Sequence, residues 1–272
     1  MRKLNWMDVS KVNFNALLLL EPVQIEYMAS LEPDAAMGTA IKAHSAIDWY
    51  LRQVHPPIGD YLNHCLELAK LDASAEEIRQ AEIEILERYQ DWVVYAVKPE
   101  NYDALEFNNW DNGSLLGMAD FKHKVVIDIG SGTGRLAFVV APIGNIIFAV
   151  EPVANLRRFI WKKRDELGLD NVFPLDGTIT QIPLPDNFAD IVMSGHVFGD
   201  QPQEEYAEMA RVTRDSGMIL LHPGSDAKSK NEAHTFLVDH GFEYATFEEP
   251  GDEGMKRKYW KTINKLQDER EK

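Results

Sequence analysis

The residues with the clearest chemical potential lie at 125–134, where a run of apolar side chains ends in glycines at alternate positions. One acid, Asp128, interrupts the run, and the loop after it reads Gly130-Ser131-Gly132-Thr133-Gly134. Glycine permits left-handed dihedral angles and close approach of the main chain to a ligand, and amides at a helix N-terminus bind polar groups. The pattern therefore predicts a ligand loop between a buried strand and a helix, at the edge of an open α/β sheet.

Two classes of cofactor compete for this loop. A dinucleotide fingerprint, Gly-x-Gly-x-x-Gly, requires a third glycine at the position occupied by Arg135. An acid such as Asp128 repels a pyrophosphate and attracts a cationic ligand. Spacing and charge together favour a positively charged cofactor over NAD.

The acidic strand followed by Gly-x-Gly-x-Gly resembles the first motif of the class I S-adenosylmethionine-dependent methyltransferases, and the resemblance spans about residues 117–264. It implies an α/β fold with a doubly wound, seven-stranded, mostly parallel sheet of the Rossmann-like type. It also implies S-adenosyl-L-methionine as cofactor, contacted by residues of the first motif, which are Asp128, Gly130, Ser131, Gly132, Thr133 and Gly134.

Two acids follow the second and third predicted strands. Glu151 lies about 20 residues after Gly130, the separation at which an acid meets ribose hydroxyls in doubly wound nucleotide sites. The resemblance implies the same role for Glu151, and contacts of Asp176 and Gly177 with the adenine. An exposed loop glutamate and an ordinary Asp-Gly turn are the alternatives.

The fourth strand region, residues 182–194, reads Ile-Pro-Leu-Pro-Asp-Asn-Phe-Ala-Asp before an apolar strand. It resembles the Leu-Pro-Phe-Pro-Asp-x-x-Phe-Asp segment of small-molecule methyltransferases, which implies that Ser194 meets the cofactor. The Asn/Asp-Pro-Pro-Tyr pattern of enzymes that methylate amide or base nitrogens does not follow it. A small-molecule acceptor is therefore expected.

Methyl transfer from a sulfonium is an in-line displacement, so alignment and exclusion of water can supply much of the catalysis. A hydroxyl, thiol or ammonium acceptor also needs a base, and histidine suits that task. His196, just after the fourth strand, is the candidate catalytic residue, and His222, after the fifth strand, is the alternative. A histidine that only packs or bonds to the backbone is an equally open interpretation.

These motifs require elements to position them. From Lys124 onward strands and helices alternate, which predicts a parallel sheet with right-handed crossovers. Residues 1–116 predict a helical cap or substrate region, and residues 117–272 the cofactor-binding core. In the first part, periodicity predicts one helix over 34–51 and another from a capping box at Ser74 to just before Pro99. Trp110, in the polar junction, is a candidate wall of the site.

Composition limits the remaining function classes. The 272 residues carry 44 acids and 28 bases, a formal net charge of −16 that repels nucleic acid. The single cysteine and three scattered N-terminal histidines offer no familiar metal spacing, and no apolar run has signal or membrane length. We expect a cytoplasmic methyltransferase without a metal or a membrane partner. A macromolecular acceptor and a non-catalytic cofactor-binding protein stay open as alternatives.

Overall fold

The computed structural model describes residues 6–109, 111–222, 227–228, 231–250 and 254–265. The chain divides into two compact units, Met1–Tyr102 and Asp103–Lys272. The division lies before the boundary predicted after residue 116, because residues 103–116 group with the sheet. Within the described ranges, no helix has both the length and the apolar character needed to cross a membrane.

The first unit is helical. It begins with two 3-10 helices, Val9–Lys11 and Phe14–Leu19, and continues with α1 (Pro22–Ala29), α2 (Ala35–Ala43), α3 (Ser45–Val54), α4 (Ile58–Leu68), α5 (Ala75–Arg88), α6 (Gln90–Val97) and α7 (Pro99–Asp103). Fully buried aliphatic and aromatic side chains from most of these helices form one core. This unit therefore buries a core of its own.

The capping box at the start of α5 is confirmed, because Ser74 and Glu77 each accept a hydrogen bond from the other's backbone amide. The long helices predicted around it are each interrupted. The first breaks at His44, whose ring nitrogen Nε2 lies 2.7 Å from Glu82 Oε1. The second breaks at Tyr89, whose side chain is buried in the core. Tertiary contacts of the breaking residues override the helical periodicity.

The second unit contains a seven-stranded sheet in the order β3-β2-β1-β4-β5-β7-β6. Strands β1 to β5 are mutually parallel, and β7 runs antiparallel to both neighbours. The strands are β1 (Val125–Ile129), β2 (Ile146–Val150), β3 (Val172–Leu175), β4 (Ala189–Gly195), β5 (Thr213–His222), β6 (Glu243–Glu248) and β7 (Met255–Thr262). A 3-10 helix (Glu106–Asn109) precedes α8 (Asn112–Leu116), α9 (Arg135–Val140), α10 (Ala154–Glu166), α11 (Pro202–Val212) and α12 (Glu232–Asp239). The predicted α/β fold is confirmed.

The apolar run before the glycines is buried on both faces of the sheet, as predicted. Ile127 and Ile129 belong to the core on one face, and Val126 to the core on the other. Ile129 pairs with Val150 on one side and with Ser194 on the other. The carboxyl ends of β1, β2 and β4 therefore lie side by side, where the predicted site residues follow them.

Strand β5 begins with residue types that are typical of a turn. The stretch from Thr213 to Gly217 belongs to β5 although Ser216 has a φ of 60°. The Ser216 amide donates to the Ile263 carbonyl at 2.8 Å, and the Ile263 amide donates to the Gly217 carbonyl at the same distance. This long-range pairing, which local turn chemistry does not reveal, extends the strand.

Candidate functional site

The glycine loop connects β1 to α9 through left-handed backbone. Gly130, Gly132 and Gly134 have φ values of 61°, 56° and 85°. A Cβ atom at Gly130 would lie 2.2 Å from Cγ2 of Val197, which follows β4. Glycine is thus required at 130 by both conformation and space, and its main chain lies directly against the exit of β4.

Asp128 lies beneath the loop and is fully buried. Its Oδ2 accepts a hydrogen bond from the Ala137 amide in the first turn of α9 at 3.0 Å, and its backbone carbonyl accepts one from Ser131 Oγ at 2.7 Å. Burial raises the pKa of Asp128 to about 7. These contacts give the acid a structural task at the helix N-terminus. Its contact with the cofactor stays a prediction.

Glu151 follows β2 and lies against the same loop. Its Oε2 accepts the Gly132 amide and its Oε1 accepts the Val153 amide, each at 2.9 Å. Burial raises its pKa to about 7, against the effect of the two amide bonds. The side chain is 4% exposed, so it is not the exposed loop glutamate of the alternative interpretation. A carboxylate has about four acceptor sites, which leaves capacity for ligand hydroxyls.

Asp176 and Gly177 form the rim beyond β3. The Asp176 carboxylate pairs with Arg157 Nη1 at 3.0 Å and is otherwise exposed. Arg157 also donates to the carbonyls of Glu151 and Pro152, each at 2.7 Å. The arginine therefore ties the end of β2 to the residue after β3, beside Glu151.

Two buried hydroxyls at this edge have no hydrogen-bond partner among the described residues. They belong to Thr133 in the glycine loop and Ser194 near the end of β4, and each residue is 1% exposed. Leaving a buried hydroxyl unsatisfied costs about 1–3 kcal/mol, and a bound polar ligand would remove that cost. The loop, the buried Glu151 carboxylate and these hydroxyls thus fit a ligand with hydroxyl and amino groups such as S-adenosylmethionine.

His196 lies next along the edge, just after β4, and is held at three points. It has a φ of 61°, and its amide donates to the His222 carbonyl at 2.7 Å. Its Nε2 lies 2.6 Å from Glu249 Oε1, and its ring centroid lies 5.8 Å from that of Phe107. The side chain is 41% exposed, so a reactant can reach the ring.

His222 ends β5 and is almost fully buried. Its ring makes an edge contact with Phe247 at 5.3 Å between centroids. Burial, with Lys258 and His196 nearby, lowers its pKa to about 3. A histidine with so low a pKa is a weak proton acceptor at neutral pH, which disfavours His222 as the base. The role of His196 as the base stays a prediction.

The sequence did not reveal the groups that hold the segment before the sheet. Arg135 Nε donates to the Asn108 carbonyl, and Arg135 Nη2 donates to Asn112 Oδ1 at 2.8 Å. Lys258 Nζ donates to the Ser114 carbonyl at 2.6 Å. Asn108 and Asn112 are therefore fixed beside the glycine loop, and Ser114 beside β7. Trp110, the predicted wall, lies outside the described residues.

Glu249, the partner of His196, was also missed. It follows β6 and lies 53 residues from His196 along the chain. No motif or helical spacing relates the two positions. The only available signal was that β6 joins the sheet through β7, which brings the end of β6 to the carboxyl edge of β5.

Known proteins provide independent comparisons. Residues 127–221 match a family model described as a methyltransferase domain. An uncharacterized methyltransferase of Geobacillus sp. (strain WCH70) is 31% identical over 129 residues, covering 46% of this chain and 58% of its own. One of Geobacillus kaustophilus is 30% identical over 146 residues, covering 52% and 63% respectively. The chain thus spans less than two thirds of these relatives.

The fold has a counterpart among solved structures. A chain of the complex between the Haloferax volcanii Trm112 methyltransferase activator and a methyltransferase aligns with a TM-score of 0.52 and 12% identity. The alignment covers 63% of this chain and 96% of that chain. At this identity the likeness concerns the fold alone. It agrees with the α/β fold of the second unit.

Proposed function

We propose that this chain carries a class I S-adenosylmethionine-dependent methyltransferase domain, binds S-adenosylmethionine as its cofactor and methylates a small molecule. The observation that carries the proposal is the meeting of a left-handed glycine loop, a buried glutamate and two unsatisfied hydroxyls at one sheet edge. In the proposed complex, Glu151 binds the ribose of the cofactor, and Asp176 and Gly177 bind its adenine. The glycine loop, with Thr133 and Ser194, binds the remaining polar groups.

The chemistry is divided between cofactor and protein. When bound, S-adenosylmethionine supplies a methyl group on a positively charged sulfur. The protein aligns the two reactants and excludes water between them. His196 accepts the proton that a hydroxyl, thiol or ammonium acceptor releases, and the ring of Phe107 lies beside it at a tilt of 48°. No covalent intermediate with the protein is needed.

Three features support a small acceptor rather than a macromolecule. The net charge of −16 opposes binding of nucleic acid. The fourth strand is followed by Gly195, His196 and Val197 instead of the motif of amide-methylating and base-methylating enzymes. Phe107, Asn108 and Ser114, in the segment before the sheet, contact side chains at this edge. A reducing, cytoplasmic location, in keeping with the lone free thiol of Cys65, belongs to the same proposal. The role of residues 1–116 as a helical cap or substrate region stays a prediction.

Titration calorimetry tests the cofactor part of the proposal. S-adenosylmethionine and its demethylated product should bind, and NAD should not. Micromolar affinity for NAD without heat from S-adenosylmethionine would overturn the proposal.

The acceptor is tested by incubating the full chain and a metabolite extract with methyl-labelled cofactor. We expect label in small molecules, and less of it with His196→Ala. Label found only in added protein or nucleic acid would contradict the small-molecule acceptor. Equal labelling by both forms would exclude His196 as the base.

A further inference from the structure

The contact between His196 and Glu249 joins a half-exposed imidazole to a buried acid at this edge. His196 Nε2 and Glu249 Oε1 are 2.6 Å apart, and Glu249 is 5% exposed. Among the described side chains, His196 is the hydrogen-bond partner of this carboxylate. A buried carboxylate without a partner is strongly unfavourable, so the imidazole and the acid are expected to stay together.

This contact decides which ring nitrogen can accept a proton. A neutral imidazole has one N–H and one nitrogen lone pair, whereas an ionised carboxylate can only accept hydrogen bonds. Between a neutral ring and an ionised carboxylate, Nε2 must carry the proton and donate it to Glu249 Oε1. The lone pair then lies on Nδ1, which can act as the base.

We propose that Glu249 is a positioning residue that holds His196 with Nε2 protonated and Nδ1 available to the methyl acceptor. The inference rests on the proposed function for its chemical consequence. In the transfer step, the bond between the acceptor's heteroatom and its proton breaks, and the proton passes to Nδ1. The electron pair left on the heteroatom forms the new bond to the methyl carbon, and the pair of the broken carbon–sulfur bond stays on sulfur.

The surroundings of the ring support this arrangement. Accepting the proton makes the imidazole a cation, and the adjacent Glu249 carboxylate stabilises that charge. The buried His222 nearby has its pKa lowered to about 3, so it stays uncharged at neutral pH and adds no repulsion. The left-handed φ of His196 and its amide bond to the His222 carbonyl fix the backbone from which the ring projects.

The first test is structural and does not depend on turnover. In the full chain labelled with ¹⁵N-histidine, His196 should show a slowly exchanging proton coupled to Nε2, assigned by its loss in His196→Ala. Glu249→Leu should abolish this resonance. Glu249→Gln should retain it, because an amide oxygen can accept the same bond. The matched control Glu248→Leu, at the exposed neighbouring position, should leave it unchanged. A proton on Nδ1, or an Nε2 proton that survives Glu249→Leu, would overturn the proposal.

The second test is a double-mutant cycle on the rate of label transfer in a fixed metabolite extract. His196→Ala should slow transfer by about 10²–10⁴-fold, the usual contribution of a general base. Glu249→Leu should slow it by at least about tenfold and leave the cofactor dissociation constant unchanged, with Glu249→Gln intermediate. In the His196→Ala background, Glu249→Leu should have no further effect. An equal slowing in both backgrounds would refute the positioning role.

The two tests distinguish a failure of the proposed function from a failure of the role proposed for Glu249. If wild-type protein binds no S-adenosylmethionine and labels nothing, the proposed function fails, and the Nε2 resonance still decides whether Glu249 positions the ring. If labelling occurs and Glu249→Leu transfers methyl groups at the wild-type rate, only the role of Glu249 fails.

Discussion

Replacing Gly130 with alanine should destabilise the protein through two separable effects. The first is conformational, because a side chain at a φ of 61° costs about 1–2 kcal/mol. The second is steric, because the new Cβ would lie 2.2 Å from Val197 Cγ2, 3.2 Å from its Cβ and 3.3 Å from its Cγ1. Forcing one methyl group into such a space costs about 1–3 kcal/mol. The expected loss in free energy of unfolding is therefore about 2–5 kcal/mol.

Urea denaturation of four proteins separates the two effects. They are the wild type, Gly130→Ala, Val197→Ala and the double variant. Val197→Ala removes both γ-methyl groups, so the double variant should recover the steric part and keep the conformational part. The expected coupling energy is about 1–3 kcal/mol.

Gly195→Ala is the matched control at the same sheet edge. Its Cβ would meet Leu136 Cδ1 at 3.5 Å, an ordinary contact, and its φ is not left-handed. It should cost clearly less than Gly130→Ala. Equal losses for the two variants, or a coupling energy near zero, would refute the packing of the loop against Val197.

Glu151→Ala should weaken S-adenosylmethionine binding by about 1.5–3 kcal/mol in calorimetry, the range for hydrogen bonds to a charged group, and unchanged affinity would show that the ribose is bound elsewhere. Ser194→Ala should weaken S-adenosylmethionine binding by about 0.5–1.5 kcal/mol without destabilising the free protein, because its hydroxyl has no partner among the described residues. Its matched control, Ser131→Ala, removes a hydrogen bond to the Asp128 carbonyl and should lower the free energy of unfolding by about 1 kcal/mol. Burial lowers the pKa of His222 from 6.5 to about 3. Below pH 6.5 the unfolded chain therefore binds a proton at this ring that the folded protein does not, so the free energy of unfolding decreases as the pH falls toward 3. Between pH 7 and pH 5, wild type should therefore lose about 2 kcal/mol more stability than His222→Phe in urea denaturation, and parallel curves would show that His222 is not buried uncharged.

The fold class was predictable because its signals are local. A continuous β-branched run, a glycine loop and alternating strands and helices identify a parallel sheet without knowledge of distant contacts. The same reasoning failed where distant contacts decide. The pairing of Ile263 with Ser216 and Gly217 extends β5, and tertiary contacts interrupt two N-terminal helices.

The candidate site was predictable along the parallel strands and obscure beyond them. Residues after β1, β2 and β4 meet because parallel strands end at one edge, so the positions of Glu151 and His196 follow from the strand order. Glu249 follows β6, which joins the sheet through the antiparallel β7. Arg135 and Lys258 donate hydrogen bonds to the backbone carbonyls of Asn108 and Ser114. Contacts to carbonyls place no demand on the type of the accepting residue, so they leave no pattern in the sequence.

Three buried acids at the carboxyl edge differ in what they bind, and the difference indicates their roles. Asp128 accepts an amide of α9, and Glu151 accepts two amides around the glycine loop. Backbone amides do not ionise near neutral pH, so these two acids fix main chain and, at Glu151, offer further acceptor sites to a ligand. Glu249 binds the imidazole of His196, a type of side chain that can act as an acid or a base. The acid most conspicuous in the sequence, Asp128, thus serves the fold first, and Glu249, which no motif marks, adjoins the group suited to moving a proton.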